Sequence, residues 1–368
     1  MQRKLLLILL VVVNNAWAQV DNSFLSEPIN INKNDSNQFG FSTFVFNYMR
    51  NTEYFNKVEL GRTLFGNQIM PSFHYQPNGN IKLQAGVFVR NDFDGETSFT
   101  QVIPTFTLKT KYQNFEMLFG TLEGATSHRI IEPMFDIARA IENRIENGFQ
   151  IKYLTEKTFL DGWINWEKFI ERGSPHKEKF TAGFNYTHEL NNPKNRFKVY
   201  SILQGMLSHA GGQIDKDSVN PLTMQANYSI GFKTIYQISK KQKISYDAYY
   251  LGYKDTGDST AIPFNQGFAV FSNLSYQYSG LQLMCSYFAS GNFISPRGTA
   301  IYQGNSIDFK NYYPRNRELV FLRLFYNKVI FNQIKMSARF EPVFDLANPI
   351  FDYSYSFYLS YHFDKNFK

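Results

Sequence analysis

Only one of the 368 residues is a cysteine, Cys285. A lone thiol has no intramolecular partner, so a disulfide scaffold is excluded. Its position deep in the chain also excludes a lipid-modified N-terminal cysteine. After the first residues, no apolar stretch approaches the roughly 20 residues that a membrane-crossing helix needs, which excludes a helical inner-membrane bundle. The six histidines, His74, His128, His176, His188, His209 and His362, contain no spaced pair of the kind that holds zinc. No internal repeat and no second domain are visible.

The first residues are an exception to this polarity. Arg3 and Lys4 precede an unbroken apolar run from Leu5 to Val13, and the small residues Ala16 and Ala18 flank Trp17. That order predicts a secretory signal peptide over residues 1–18, cut after Ala18. The run ends at Asn14 and Asn15, too short for an anchor. Losing Arg3 and Lys4 lowers the 38 basic residues to 36 against 31 acidic ones, and the formal charge from +7 to +5. A bias that mild argues for no nucleic-acid partner.

What the chain has in excess is aromatic surface: 37 Phe and 24 Tyr in a sequence of mean hydropathy −0.35. A barrel wall reconciles the two, since its outer face meets lipid between aromatic girdles while its inner face meets water. Alternation points the same way. From Met224 to Ile238, the residues Met224, Ala226, Tyr228, Ile230, Phe232, Thr234, Tyr236 and Ile238 share one side. Gln225, Asn227, Ser229, Gly231, Lys233 and Gln237 share the other, with Ile235 the exception. A period of two held that long is a strand, not a helix. Ile81–Arg90 and Phe180–Leu190 repeat the pattern, and Tyr353, Tyr355, Phe357, Leu359, Tyr361 and Phe363 form a closing strand near the C-terminus.

Short Asn-, Gly-, Pro- and Ser-rich turns are expected at 77–80, 113–114, 156–158, 191–195, 239–242, 279–280 and 327–330. Longer loops at 50–66, 91–98, 124–147, 168–178, 208–221, 254–266, 290–316 and 345–350 alternate with them. Hairpins at the short turns plus one strand at each end predict an all-β fold, a transmembrane antiparallel up-and-down barrel of about 16 strands with both termini in the periplasm. Residues 38–368 form that barrel and 19–37 a short periplasmic leader. A secreted sandwich or propeller is the competing fold, but no blade-like period is present.

The 124–147 loop carries the densest chemistry. Met134, Ala138, Ile141 and Ile145 have helical spacing, Pro133 suits a first turn, and Asp136, Arg139 and Glu142 are placed to pair with one another. Folded into the pore, its Arg129, Glu132, Asp136 and Arg139 would set a transverse field; folded outward, it would cap the rim. Ser127 and His128 beside Asp136 admit a hydrolase triad, although spacing within one loop shows no convergent geometry. Asn91–Glu96 gathers oxygen ligands around Gly95 without the spacing of a full calcium loop, and Asp215 with Asp217 and Asp255 with Asp258 read as ordinary acidic turns. No metal or cofactor is expected. In the stretch Phe159–Ile170, one Trp suits the lipid interface, or a sugar-stacking platform, while Asp161, Asn165 and Glu167 face the lumen. Cys285 is expected to face lipid.

The strands rich in Asn, Lys and Tyr, with segments such as Glu146-Asn147-Gly148-Phe149-Gln150 and Asp161-Gly162-Trp163-Ile164-Asn165-Trp166-Glu167, resemble porin-like outer-membrane proteins of the Bacteroidota over the whole mature chain. The resemblance implies the barrel and carries over no catalytic or binding residue. The leading expectation is a non-enzymatic outer-membrane channel for small hydrophilic solutes. Its pore-lining and constriction candidates are Arg90, Arg129, Glu132, Asp136, Arg139, Lys152, Asp161, Glu167, Lys233 and Arg323, whose cations favour anionic or neutral solutes mildly. Two alternatives stand beside it: an enzyme acting on outer-membrane lipid or lipopolysaccharide, and a scaffold barrel that binds a surface partner. Oligomeric state is left open.

Overall fold

Successive strand side chains point to opposite faces, and here that alternation runs around a sheet that closes on itself. The structure, a computed structural model, describes residues 20, 22–93, 97–191, 195–211, 221–257, 262–331 and 333–367. Its first eight strands are β1 (Gln38–Glu53), β2 (Thr63–Asn78), β3 (Ile81–Asp92), β4 (Gln101–Tyr112), β5 (Phe115–Thr121), β6 (Asn147–Leu154), β7 (Thr158–Lys168) and β8 (Lys179–Glu189). The second eight are β9 (Phe197–Ala210), β10 (Thr223–Ser239), β11 (Gln242–Asp255), β12 (Gln266–Tyr278), β13 (Leu281–Gly291), β14 (Asn316–Ile330), β15 (Ile334–Asp345) and β16 (Ile350–Phe367). Each pairs antiparallel with its sequence neighbours, and β1 closes on β16 from Phe39 opposite Phe367 to Glu53 opposite Tyr353. Closure leaves no unpaired edge in the hydrocarbon layer, where an unsatisfied peptide group is costly.

The 16-strand antiparallel barrel matches the architecture read from the sequence, and the expected short turns join its hairpins except at 327–330, where β14 stays paired with β15 up to Ile330 opposite Ile334 and the turn falls later. Gln113 and Ser279 take positive φ values of 53° and 54° at the tight turns before β5 and β13, as mirror-image hairpin turns require. On β10 the expected outer residues Tyr228, Ile230, Phe232 and Tyr236 are exposed to lipid, while Asn227, Ser229 and Lys233 are buried inside. Ile235, the exception to the alternation, is buried on the inner side as well.

The inside is where the structure departs from a water-filled tube. Strands β9 to β15 turn Ile202, Met206, Tyr249, Leu251, Tyr253, Phe271, Phe288, Phe321 and Val343 into a buried apolar cluster. Ile131, Met134 and Phe135 of the β5–β6 connection and Phe293, Ile301 and Tyr302 of the β13–β14 connection complete it. The two connections are packed against each other. A Cβ on Gly298 would lie 2.0 Å from the Pro133 carbonyl oxygen, so only glycine allows that approach. Asp136 N donates to Arg297 O at 2.8 Å and Ser295 Oγ to Met134 O at 3.1 Å.

From the end of the barrel that carries the termini, the expected periplasmic leader also enters the lumen. Leu25 is 1% exposed and packs with Phe44, Phe46, Tyr48, Tyr358 and Ile141. Lys109 Nζ donates to Ile29 O at 2.7 Å, and Arg339 to Asn22 Oδ1 at 2.8 Å. A polar-looking leader goes inside because its few apolar residues find cover there and its backbone carbonyls answer buried cations.

Cys285 sits on the exposed, lipid-facing side of β13, between Leu283 and Tyr287. In reconstituted vesicles it should react with a membrane-soluble maleimide and resist a charged, impermeant one. Equal labelling by both reagents would contradict a lipid-wetted outer wall.

Candidate functional site

Residues 122–146, between β5 and β6, run inward rather than over the rim, which settles the direction that the pattern left open. The backbone is received by side chains from distant strands. Asn185 on β8 donates to the carbonyls of His128 and Arg129 at 3.0 and 2.8 Å, and Gln204 on β9 donates to Arg129 O at 3.0 Å. Gln68 on β2 donates to Ile141 O at 2.7 Å, and Arg90 on β3 to Glu142 O at 3.2 Å. Only Arg139–Glu142 complete a helical turn, with Ala140 and Ile141 buried. The expected pairing among Asp136, Arg139 and Glu142 is replaced by pairing with other elements: Arg50, Glu167 and Arg62 take them respectively. Wall partners win because the segment lies among fixed counter-charges instead of standing alone in water.

At the centre of this plug, His128 is wholly buried between two carboxylates. Its Nδ1 lies 2.8 Å from Asp161 on β7 and its Nε2 2.7 Å from Glu146 just before β6. Burial alone would push the imidazole pKa down, but the charges and hydrogen bonds of Glu146 and Asp161 outweigh it and raise the pKa to about 9. With both nitrogens donating, the ring is an imidazolium clamp and not a base. The Trp163 indole stacks on it, centroids 3.7 Å apart at 10°. That indole also lies over Gly183, where a Cβ would come within 2.4 Å of the ring. The triad reading of Ser127, His128 and Asp136 is therefore not realised. Ser127 Oγ donates to Gly124 O at 2.9 Å, and Asp136 sits with Arg50. Trp163, committed to His128, is not a sugar platform, whereas Trp166 faces outward.

The remaining candidates are brought to the same plug or lie below it. Glu132 accepts from Arg323 at 2.7 Å and from the Tyr302 hydroxyl at 3.1 Å. Arg129, with a φ of 58°, lays its guanidinium over the Phe159 ring at 3.9 Å. Arg90 pairs with Asp92 at 2.7 Å. That commits one oxygen donor of the Asn91–Glu96 stretch, whose residues 94–96 lie outside the described chain, as do Asp215, Asp217 and Asp258. Lys152 meets Glu123, and Lys233 is buried on the inner wall.

A second cluster lies at the upper edge of β7 and β8. The ladder slips between Trp166 and Lys168, so Glu167 is the extra residue of a bulge. Its carboxylate accepts from Arg297 at 2.6 and 3.0 Å, from Thr181 Oγ1 at 2.9 Å and from Arg139 at 3.4 Å. Glu167 keeps 21% of its side chain exposed and Arg297 18%. Here a carboxylate, a buried hydroxyl and two guanidinium groups meet at a partly exposed rim, the components that acid–base chemistry on an ester draws on. Sequence reading found Glu167 and Arg139 but missed Arg297 and Thr181. Arg297 lies 130 residues from Glu167, and no local spacing signals such a pair.

The clamp makes plug docking pH-dependent. His128 holds its proton more tightly folded, at about 9, than at its ordinary 6.5. The clamp's stabilisation is thus full below pH 6.5 and is lost as pH rises through 9. The temperature at which the barrel loses its compact electrophoretic migration should fall over that window, and His128→Gln should flatten the fall. Asp161→Asn, which leaves an imidazolium short of one anion, should cost about 3–5 kcal/mol. A wild-type profile flat from pH 6.5 to 9 would refute the clamp.

Solved structures with the same barrel include OprD of Pseudomonas aeruginosa, with a TM-score of 0.53 and 10% identity over 94% of this chain and 98% of that one. The loop L8 deletion mutant of OmpT from Vibrio cholerae gives 0.52 and 9% over 89% and 100%. OmpF of Salmonella typhi in complex with daunomycin gives 0.51 and 12% over 90% and 99%. At such identities the likeness is one of fold. No curated protein matches the chain. The family comparison corrects one expectation, that the barrel is not an enzyme: a model of lipid A deacylases matches residues 31–368. The chain belongs to the lipid A 3'-O-deacylase-type family.

Proposed function

We propose that this protein is an outer-membrane hydrolase that removes an ester-linked acyl chain from lipid A at the outer surface. The observation that carries the reading is the family match over residues 31–368, which includes all sixteen strands. The filled lumen supports it, since apolar side chains and two inward connections occupy the space a passive pore needs. Residues 1–18, outside the described chain, support export by a cleaved signal peptide, and the Asn-, Lys- and Tyr-rich strands support an origin among the Bacteroidota.

Ester hydrolysis needs a base to take a proton from water and positive charge where the carbonyl oxygen becomes an oxyanion. Glu167 fills the first role. Thr181 fixes its carboxylate, and Arg297 and Arg139 supply the second. Water adds to the carbonyl carbon as its proton passes to Glu167. Collapse of the tetrahedral intermediate breaks the ester C–O bond, and the proton passes to the departing sugar oxygen. The fatty acid and a free sugar hydroxyl are the products.

Purified protein mixed with lipid A should yield a product lighter by one acyl group in mass spectra. Glu167→Gln should slow release about 100-fold or more while the folded barrel keeps its compact migration. Ser127→Ala should leave the rate within about twofold, because that hydroxyl is not joined to His128. Lipid A unchanged after prolonged incubation with wild type would sink the activity; an unimpaired Glu167→Gln variant would sink the site alone.

Passive diffusion of small hydrophilic solutes is the competing role, supported by the porin-like fold. It requires the plug to leave the lumen. In planar bilayers the wild-type protein should give no steady conductance, and a stable ohmic current with mild anion preference would favour the channel instead.

A further inference from the structure

The rim beside Glu167 has two features that the hydrolytic chemistry does not use. Across the top of β7, β8 and β9, Trp166, Phe180 and His209 form a stacked ladder. Trp166 lies opposite Phe180, with ring centroids 5.3 Å apart at 27°, and Phe180 lies opposite His209, at 4.6 Å and 21°. Trp166 is 40% exposed, and Phe169, just beyond it, 67%. Immediately above, past the bulge, Lys168 and Lys179 stand directly opposite each other on the two strands. Both are exposed, and among the described residues neither makes an ion pair.

Like charges placed opposite each other destabilise an antiparallel pair, so this pair asks for an anion. The segment 168–179 adds Arg172 and Lys177 against Glu171 and Glu178, which leaves it net positive. Glu167, the neighbour of Lys168, is turned to Arg297 and Thr181 and does not neutralise that lysine. The connection is also held in place. Ile170 is buried, His176 Nε2 lies 3.0 Å from Phe169 O, and Lys177 donates to Pro221 O at 2.6 Å. The cations are therefore presented on a fixed turn.

We propose that this corner is the docking surface for the phosphorylated sugar headgroup of lipid A, with Lys168 and Lys179 taking a phosphate monoester and the Trp166–Phe180–His209 ladder carrying the sugar and the first methylenes of its acyl chains. The assignment rests on the activity proposed above, which supplies the substrate class. It deepens it by placing the headgroup where an acyl ester reaches Glu167 from the membrane side. Aromatic rings suit that boundary because one end is apolar and the other wet. Lysines bind phosphate there as compact point charges.

The test measures binding and acyl release separately on the full-length protein, with phosphatidylcholine vesicles that contain bisphosphorylated lipid A or chemically dephosphorylated lipid A. Wild type should prefer the phosphorylated vesicles. The double variant Lys168→Ala/Lys179→Ala should lose about tenfold or more of that affinity, keep its affinity for dephosphorylated vesicles, and converge with wild type at high salt. Trp166→Ala should weaken binding to both. Millimolar inorganic phosphate should compete poorly; full competition would mean a site for free phosphate and overturn the assignment to a lipid headgroup. The proposal also fails if the double variant binds phosphorylated lipid A as wild type does, or loses both vesicle types equally. Binding with these preferences but without acyl release would overturn the hydrolase and leave the docking surface standing.

Discussion

A protonated imidazole with no access to water must keep an anion on each nitrogen, and His128 meets that demand with Asp161 on β7 and Glu146 beside β6. The cost of removing three charged groups from water is large, and their mutual attraction offsets it only while the geometry holds. Much else follows from that need. Asp161 must face inward, which fixes the phase of β7: Trp163 then also faces inward and Trp166 outward. Trp163 covers the imidazolium, and Gly183 on the next strand has to leave room for the indole. The segment that carries His128 is thereby drawn into the lumen, and its carbonyls are met by Asn185, Gln204 and Gln68.

How much of this the sequence disclosed depends on the range of the interaction involved. Alternation and tight-turn chemistry are local, so strands such as β10 and turns such as Ser279-Gly280 were readable, and the strand count followed. The plug's direction was not, because its partners lie on strands far away in the chain, Arg323 being 191 residues from Glu132. A usable sign was nevertheless present. Tyr249-Tyr250-Leu251, Phe268 to Phe271 and Leu319 to Leu322 are apolar on both faces, where a water-filled pore would need every second residue to be polar. Such runs mean that the inner face is covered too.

Charge was equally ambiguous at the level of residue lists. Inward and loop candidates do lie in a narrow space, but as pairs and clamps: Glu132 with Arg323, Arg139 with Glu167, Asp136 with Arg50, Lys152 with Glu123. A pore wall and a plug seam recruit the same residue types, since both place charge in a confined interior, and only the third dimension distinguishes a solvated field from a satisfied contact. The adjacency of Ser127 and His128 misled for a related reason. Neighbours in a loop diverge as often as they converge, and here the imidazole turns to carboxylates on β7 and at the start of β6.

A barrel whose interior is committed to packing has its free chemistry at its rim. There the β7 bulge matters more than any single residue type. By inserting Glu167 between Trp166 and Lys168, it lets one short stretch present an aromatic ring to the membrane, a carboxylate to the guanidinium groups of the plug and a cation to the outside. A regular strand would put Trp166 and Lys168 on the same face, two residues apart, with Glu167 on the other. The plug contributes as well as blocks. Arg139 and Arg297 reach Glu167 from the two inward connections, so the docked plug supplies both guanidinium groups of the rim cluster. A packed interior gives the groups at its rim a fixed base.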